Sequence, residues 1–234
     1  MTLREEFEGA SLIIGSIIGA GVLGIPYAAA ALGLIPSLIL TAVVGAGLYL
    51  TSVVILQFSA KHDGAQIATL ATDILGRPGG YLMMAGMMIY IYGALLAYTS
   101  AGGSTLAAIT PLTPVPAAVL FWVVGAFLIY QGLEASIKTE SALVVGIILL
   151  FVLVSVTSLP HADPANAGFL DLSAWQAFLG VSLFAFVGHA MVPDVYNATG
   201  DYDTAKRSIQ IAFVAIFALY AILTVAFVMV FGRE

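Results

Sequence analysis

The stretch Gly15-Ser-Ile-Ile-Gly-Ala-Gly-Val-Leu-Gly-Ile-Pro-Tyr27 decides how the chain is read. It lies in an apolar run, residues 10–31, that reaches the roughly 20 residues a membrane-spanning helix needs. Gly15, Gly19, Gly21 and Gly24 bring backbone freedom that a helix must surrender, and Pro26 lacks the amide that would bond one turn back. The run is therefore expected to break, with non-helical backbone within Gly19–Gly24. In hydrocarbon the freed N–H and C=O groups cannot stay unpaired, so a break survives only against protein or a wet cavity. Interrupted helices of this kind hold substrate in secondary transporters. The alternative is a glycine-rich helix packed closely on a neighbour.

Composition supports a membrane setting. Of 234 residues, 61% are hydrophobic and 9% charged, and the mean hydropathy is +1.08. A soluble domain is nearer about 25% charged. The net charge of −6 leaves no basic patch, so nucleic acid is not an expected partner. The absence of cysteine excludes disulfides, thiol catalysis and Cys-ligated metal. The start, Met-Thr-Leu-Arg-Glu-Glu-Phe-Glu, lacks the basic region of a secretory signal, so the first helix is expected to be retained.

Seven stretches are apolar enough to span: 10–31, 35–58, 78–109, 115–132, 139–159, 173–199 and 204–231. In the polar loop after the second, Ile67, Leu70, Ile74 and Leu75 share a helical face, which suits a short helix in the interface. An irregular loop is the alternative. With the N-terminus inside, Arg4, Lys61, Arg77, Lys138, Lys206 and Arg207 all fall on the inner side and only Arg233 falls outside. That bias places the N-terminus in the cytoplasm of a multi-pass cell-membrane protein.

The sixth stretch repeats the pattern of the first. Phe184-Ala-Phe-Val-Gly-His-Ala-Met-Val-Pro-Asp-Val-Tyr196 also carries a mid-span glycine and proline. Gly21 precedes Pro26 by the same interval as Gly188 precedes Pro193. Spans one and six are thus expected to be counterparts, and with five spans per repeat the second repeat is inverted in the membrane. Paired interrupted helices in corresponding places are the best sequence pointer to a transporter's binding site.

Ile17-Ile-Gly-Ala-Gly-Val-Leu-Gly-Ile-Pro-Tyr-Ala28, with Phe184–His189, Val192-Pro-Asp194 and the loop ending Gly76-Arg-Pro-Gly-Gly80, resembles the amino acid/auxin permease family of the amino acid–polyamine–organocation superfamily. The resemblance implies an all-α, five-plus-five inverted-repeat (LeuT-like) fold and alternating-access transport of an amino acid, coupled to sodium or a proton. Residues 1–159 would form the first repeat and 173–234 the start of the second. Such a fold needs ten core helices, so the chain is expected to be C-terminally truncated, or to rely on a partner chain for the rest. A membrane sensor that binds an amino acid without moving it is the alternative function.

Candidate site residues follow. The amides of Ala20, Gly21 and Val22 stand at the start of a half-helix, where exposed N–H groups and the positive dipole end favour a carboxylate. By resemblance the substrate carboxylate sits at Gly19–Val22. The carbonyls of Ile17 and Ile18 are placed for the ammonium or a coupling ion. Phe184 and Phe186 either shape an apolar pocket beside Gly188 or simply pack. His189 either carries a proton, as an ionisable group in mid-membrane can, or satisfies a freed carbonyl at the break. Asp194 either binds an ion or serves the start of the second half-helix. Tyr90 either reaches the substrate or packs. Gly19-Ala-Gly21 follows no strand, so it is not a dinucleotide fingerprint. His62 and His161 lack metal-ligand spacing. No cofactor is expected, nor any enzymatic chemistry.

Overall fold

A computed structural model of the chain describes residues 3–19, 21–131 and 133–232, with backbone alone for 3, 4, 23 and 133–144. All its regular structure is helical among the described residues. The helices are α1 (Leu3–Ile17), α2 (Gly21–Leu32), α3 (Leu34–Lys61), α4 (Ile67–Ile109), α5 (Pro114–Tyr130), α6 (Leu133–Ser158), α7 (Trp175–Ala185), α8 (Val192–Thr199) and α9 (Tyr202–Phe231). Four segments among the described residues are long and apolar enough to span: Leu34–Lys61, Ile67–Ile109, Leu172–Thr199 and Tyr202–Phe231. The protein is thus a polytopic membrane protein.

Against the seven expected stretches, the differences have physical causes. Stretch 10–31 is divided between α1 and α2, neither of which spans alone. Stretch 115–132 corresponds to the 17-residue α5, and 139–159 falls within the 26-residue α6. The expected interface helix is the first part of α4, which turns out of helical geometry at Gly76 (φ 73°) before continuing.

Two compact units result, residues 1–70 with 144–234, and residues 71–143. In the first, α9 is the central element. Its buried residues, among them Thr204, Ser208, Phe213, Ile216 and Tyr220, recur at helical spacing along one face. The packing partners form matching pairs. Helix α1 lies on α9 as α7 lies on α3; α2 lies on α9 as α8 lies on α3; α1 lies on α8 as α2 lies on α7. At one end Glu6 of α1 meets Arg207 of α9 at 3.3 Å. At the other, Gly33 turns between α2 and α3 with φ 109°, and a side chain there would strike the Phe169 carbonyl oxygen. The Leu32 carbonyl accepts from the Asp171 amide at 3.0 Å, closing the same corner.

In the second unit, α4 and α5 approach through Gly102 and Gly103. A Cβ on Gly103 would lie 2.6 Å from Ala118 Cα. A cavity of about 410 Å³ lies there, lined by Thr99, Ser100, Ser104 and Trp122 among others.

Candidate functional site

Helix α1 ends where its glycines begin. The Ile18 amide still donates to the Ile14 carbonyl (2.8 Å), then Ile18 and Gly19 leave helical geometry and α2 starts at Gly21. Pro26 sits inside α2 rather than at the break, so the glycines and not the proline mark the interruption. The Val22 amide is taken by the Gly19 carbonyl at 3.1 Å. This departs from the expectation that it faces a ligand: the turn of chain entering α2 folds back and satisfies it locally. Ala20 lies outside the described residues.

The second break is built alike. Phe186 caps α7, its amide donating to the Ser182 carbonyl at 3.2 Å. A short 3-10 turn, His189–Met191, leads into α8, with Pro193 in its first turn where a missing N–H does no harm.

The two breaks meet. A Cβ on Gly21 would fall 2.6 Å from both Cα and Cβ of Ala185. A Cβ on Gly188 would fall 2.7 Å from Ile17 Cγ1. Glycine is needed at Gly21 for this close approach, since the opposing atoms are largely backbone. Ile17, Ile18, Val22 and Gly188 are all buried at the junction, and Gly19 is half-buried.

One further residue at the junction, Tyr220, carries no mark in its local sequence. Its hydroxyl donates to the Ala185 carbonyl at 2.9 Å and reaches the Ile17 carbonyl at 3.4 Å. These are the last residues of α7 and α1. In an apolar run Tyr220 reads as any membrane aromatic, and only its position between the helix ends gives it meaning.

Phe186 is fully buried, edge-on to Tyr220 (5.0 Å) and stacked with Phe213 (6.3 Å), with Gly45 against its ring edge. It packs rather than facing open space. Phe184, one residue before the end of α7, is 36% exposed. His189 is half-buried, and its Nε2 lies 2.7 Å from the Thr51 hydroxyl of α3. That hydroxyl also reaches the Leu48 carbonyl at 3.0 Å. When it donates to Leu48, it accepts from a protonated Nε2; when it donates to Nε2, the ring proton sits on Nδ1. Thr51 was not legible in the sequence either, because helical threonines ordinarily bond within their own helix.

Asp194 lies in the first turn of α8 and accepts from the Gln66 amide at 2.7 Å. One turn on, Asn197 donates to the Gly64 carbonyl at 3.1 Å. Both fasten the turn before α4 to α8. Tyr90 belongs to the other compact unit, on α4, and is 39% exposed. Among the described residues no group of three or more His, Cys, Asp or Glu side chains is placed to hold a metal ion. A groove of about 280 Å³ runs between α3 and α9, lined by Gly45, Tyr49, Gln210, Phe213 and Phe217 among others.

The chain is 27% identical over 189 residues to tyrosine-specific transport system 1 of Haemophilus influenzae, covering 79% of this chain and 47% of that protein. It is 25% identical over 233 residues to tyrosine-specific transport system 2 of the same organism, covering 95% and 57%. It is 27% identical over 235 residues to the tryptophan-specific transport protein of Pseudomonas aeruginosa, covering 93% and 56%. The chain thus spans about half the length of the curated relatives it matches. No solved structure matches it. The model of the tryptophan/tyrosine permease family matches residues 3–232. That match overturns the resemblance to the amino acid/auxin permeases. The glycine-rich motif that carried it reports a broken helix, which unrelated requirements of packing and binding impose in more than one family. Matched along nearly its whole length, the chain belongs to the tryptophan/tyrosine permease family, whose members are transporters and not enzymes.

Proposed function

We propose that the chain carries the substrate site of a secondary active transporter for amino acids with aromatic side chains, tyrosine or tryptophan. The observation that carries this reading is the meeting of two interrupted helices at their breaks, Gly21 on Ala185 and Gly188 on Ile17. Two breaks that shared no wall would each leave polar backbone in hydrocarbon, at a cost of several kcal/mol per group, roughly. The names of the relatives support the substrate class.

The site then comprises Gly19, Ala20, Gly21 and Gly188, with Phe184 and His189 as further contacts. The half-helix starts favour the substrate carboxylate, and the carbonyl ends at Ile17 and Ile18 favour its ammonium or a coupling sodium ion. If the coupling ion is a proton, His189 is the group to carry it; Asp194, already bonded to Gln66, is the weaker candidate.

The packing supports a five-plus-five inverted repeat of the LeuT-like kind. Exchanging α1 with α7, α2 with α8 and α3 with α9 turns each of the packing contacts described above into another of the set. The same register shift that carries Gly21 onto Gly188 and Pro26 onto Pro193 carries Gly33 onto Gly200, and both of these glycines have positive φ ahead of a long helix. A core of ten helices calls for a further segment or a partner chain. The basic bias supports a cytoplasmic N-terminus.

Counterflow of labelled L-tyrosine and L-tryptophan in proteoliposomes tests the function. A transporter exchanges label across the bilayer. Binding without exchange marks a sensor, and absence of both rejects the site.

A further inference from the structure

We propose that Tyr220 is the positioning residue of the two-break site: its hydroxyl, shared between the Ala185 and Ile17 carbonyls, ties the end of α7 to the end of α1 and sets the spacing of the two breaks. The proposal rests on the reading of the breaks as one site.

The last carbonyls of α1 and α7 have no partner in their own helices. Both ends carry partial negative charge, so they repel rather than gather. A donor between them reverses this, and one hydroxyl within 2.9 and 3.4 Å of the two oxygens holds them no farther apart than those two contacts laid end to end.

The donor is fixed in place before any ligand arrives. Tyr220 has no exposed surface, its ring stands edge-on to Phe186 at 82°, and Phe186 is backed by Phe213 and Gly45. The shorter hydroxyl of Ser208, also on α9, bonds within its own helix instead, to the Thr204 carbonyl at 3.0 Å. The length of the tyrosine ring is what carries a hydroxyl from α9 to the junction. The repeat register carries Tyr220 onto Val53 of α3, which has no donor, so the tie is made from one side only.

Hydrogen exchange of the full chain in lipid nanodiscs tests the tie. Tyr220→Phe keeps the ring and removes the hydroxyl. It is expected to speed exchange about tenfold at both breaks, in peptides covering residues 13–24 and 182–192, the factor that corresponds to one net hydrogen bond. Exchange along α3 should be unchanged. Binding of labelled L-tyrosine should weaken by a similar factor, while the thermal midpoint falls by only the roughly 2–4 °C per kcal/mol expected for a chain of this size. Unchanged exchange at the breaks, or a change at one break alone, overturns the proposal. So does a Tyr220→Phe chain that matches the parent when only Tyr220→Ala is impaired, since the residue then merely packs. If the parent binds neither L-tyrosine nor L-tryptophan while Tyr220→Phe still opens both breaks, the tie stands and the reading of the site falls.

Discussion

Gly21→Ala adds a single carbon where α2 passes α7. The new Cβ falls 2.6 Å from Ala185 Cα and Cβ, against the roughly 3.5 Å at which carbon atoms rest in contact. The two half-helices must part by about 1 Å, because the backbone of Ala185 cannot turn aside as a side chain tip can. Overpacking of this kind costs about 1–3 kcal/mol, and a backbone obstacle places the cost toward the upper end. Two controls isolate the effect. At Gly47, on α3, an added Cβ meets nothing within 4 Å, so Gly47→Ala should stabilise the chain by about 1 kcal/mol through helix propensity. At Gly24 the nearest atom is Val181 Cγ1 at 3.0 Å, on a side chain able to yield, so Gly24→Ala should fall between the two. Reversible unfolding in mixed micelles, followed by Trp122 and Trp175 fluorescence, reads the order. A Gly21→Ala chain as stable as Gly47→Ala would refute the close approach of the two breaks.

Other expectations follow from the same contacts. Thr51→Val removes the partner of His189 Nε2 and should cost about 0.5–1.5 kcal/mol in the same unfolding assay, whereas Thr51→Ser should restore the parent value. Asn197→Ala should release the turn at Gly64, seen as faster hydrogen exchange over residues 62–66 with no change at the breaks. The carboxyl of Asp201, which caps α9, is held below its usual value of 3.8 by the amide and hydroxyl of Thr204. A depressed folded pKa contributes stability that is full above the unfolded pKa and lost as pH falls through the folded one. The difference in melting midpoint between parent and Asp201→Ala should therefore be present at neutral pH, shrink below about pH 4, and reach its floor once the folded carboxyl is protonated. The native chain has no cysteine, so single cysteines at Ala65 and Ala165 should label from opposite sides of the membrane, with Ala165 outside; labelling from the same side contradicts the span order.

The helices were legible because apolar length is a local property, and the breaks because glycine and proline act on their own backbone. The location of the first break was less so. Non-helical backbone was expected within Gly19–Gly24; the chain leaves helical geometry at Ile18 and Gly19, and α2 accommodates both Gly24 and Pro26. The partners across the fold were not legible at all. Tyr220, Thr51 and Gln66 lie far along the chain from Ala185, His189 and Asp194, and nothing in their local sequence distinguishes them from residues that only face lipid or loop. The second glycine turn at Gly200 was visible as a residue, but its match to Gly33 required the backbone angles. The family was misread for a related reason: a glycine pattern reports what a break needs, and different families share that need.

The proposed site is built from both breaks. Gly19→Cys and Ala190→Cys, made singly in the cysteine-free chain, place one thiol at each break. Alkylation of each by a small water-soluble maleimide, with and without saturating L-tyrosine or L-tryptophan, tests the claim directly. The account predicts that the amino acid slows labelling at both positions over the same concentration range. Protection at one position only, or at neither, would contradict it.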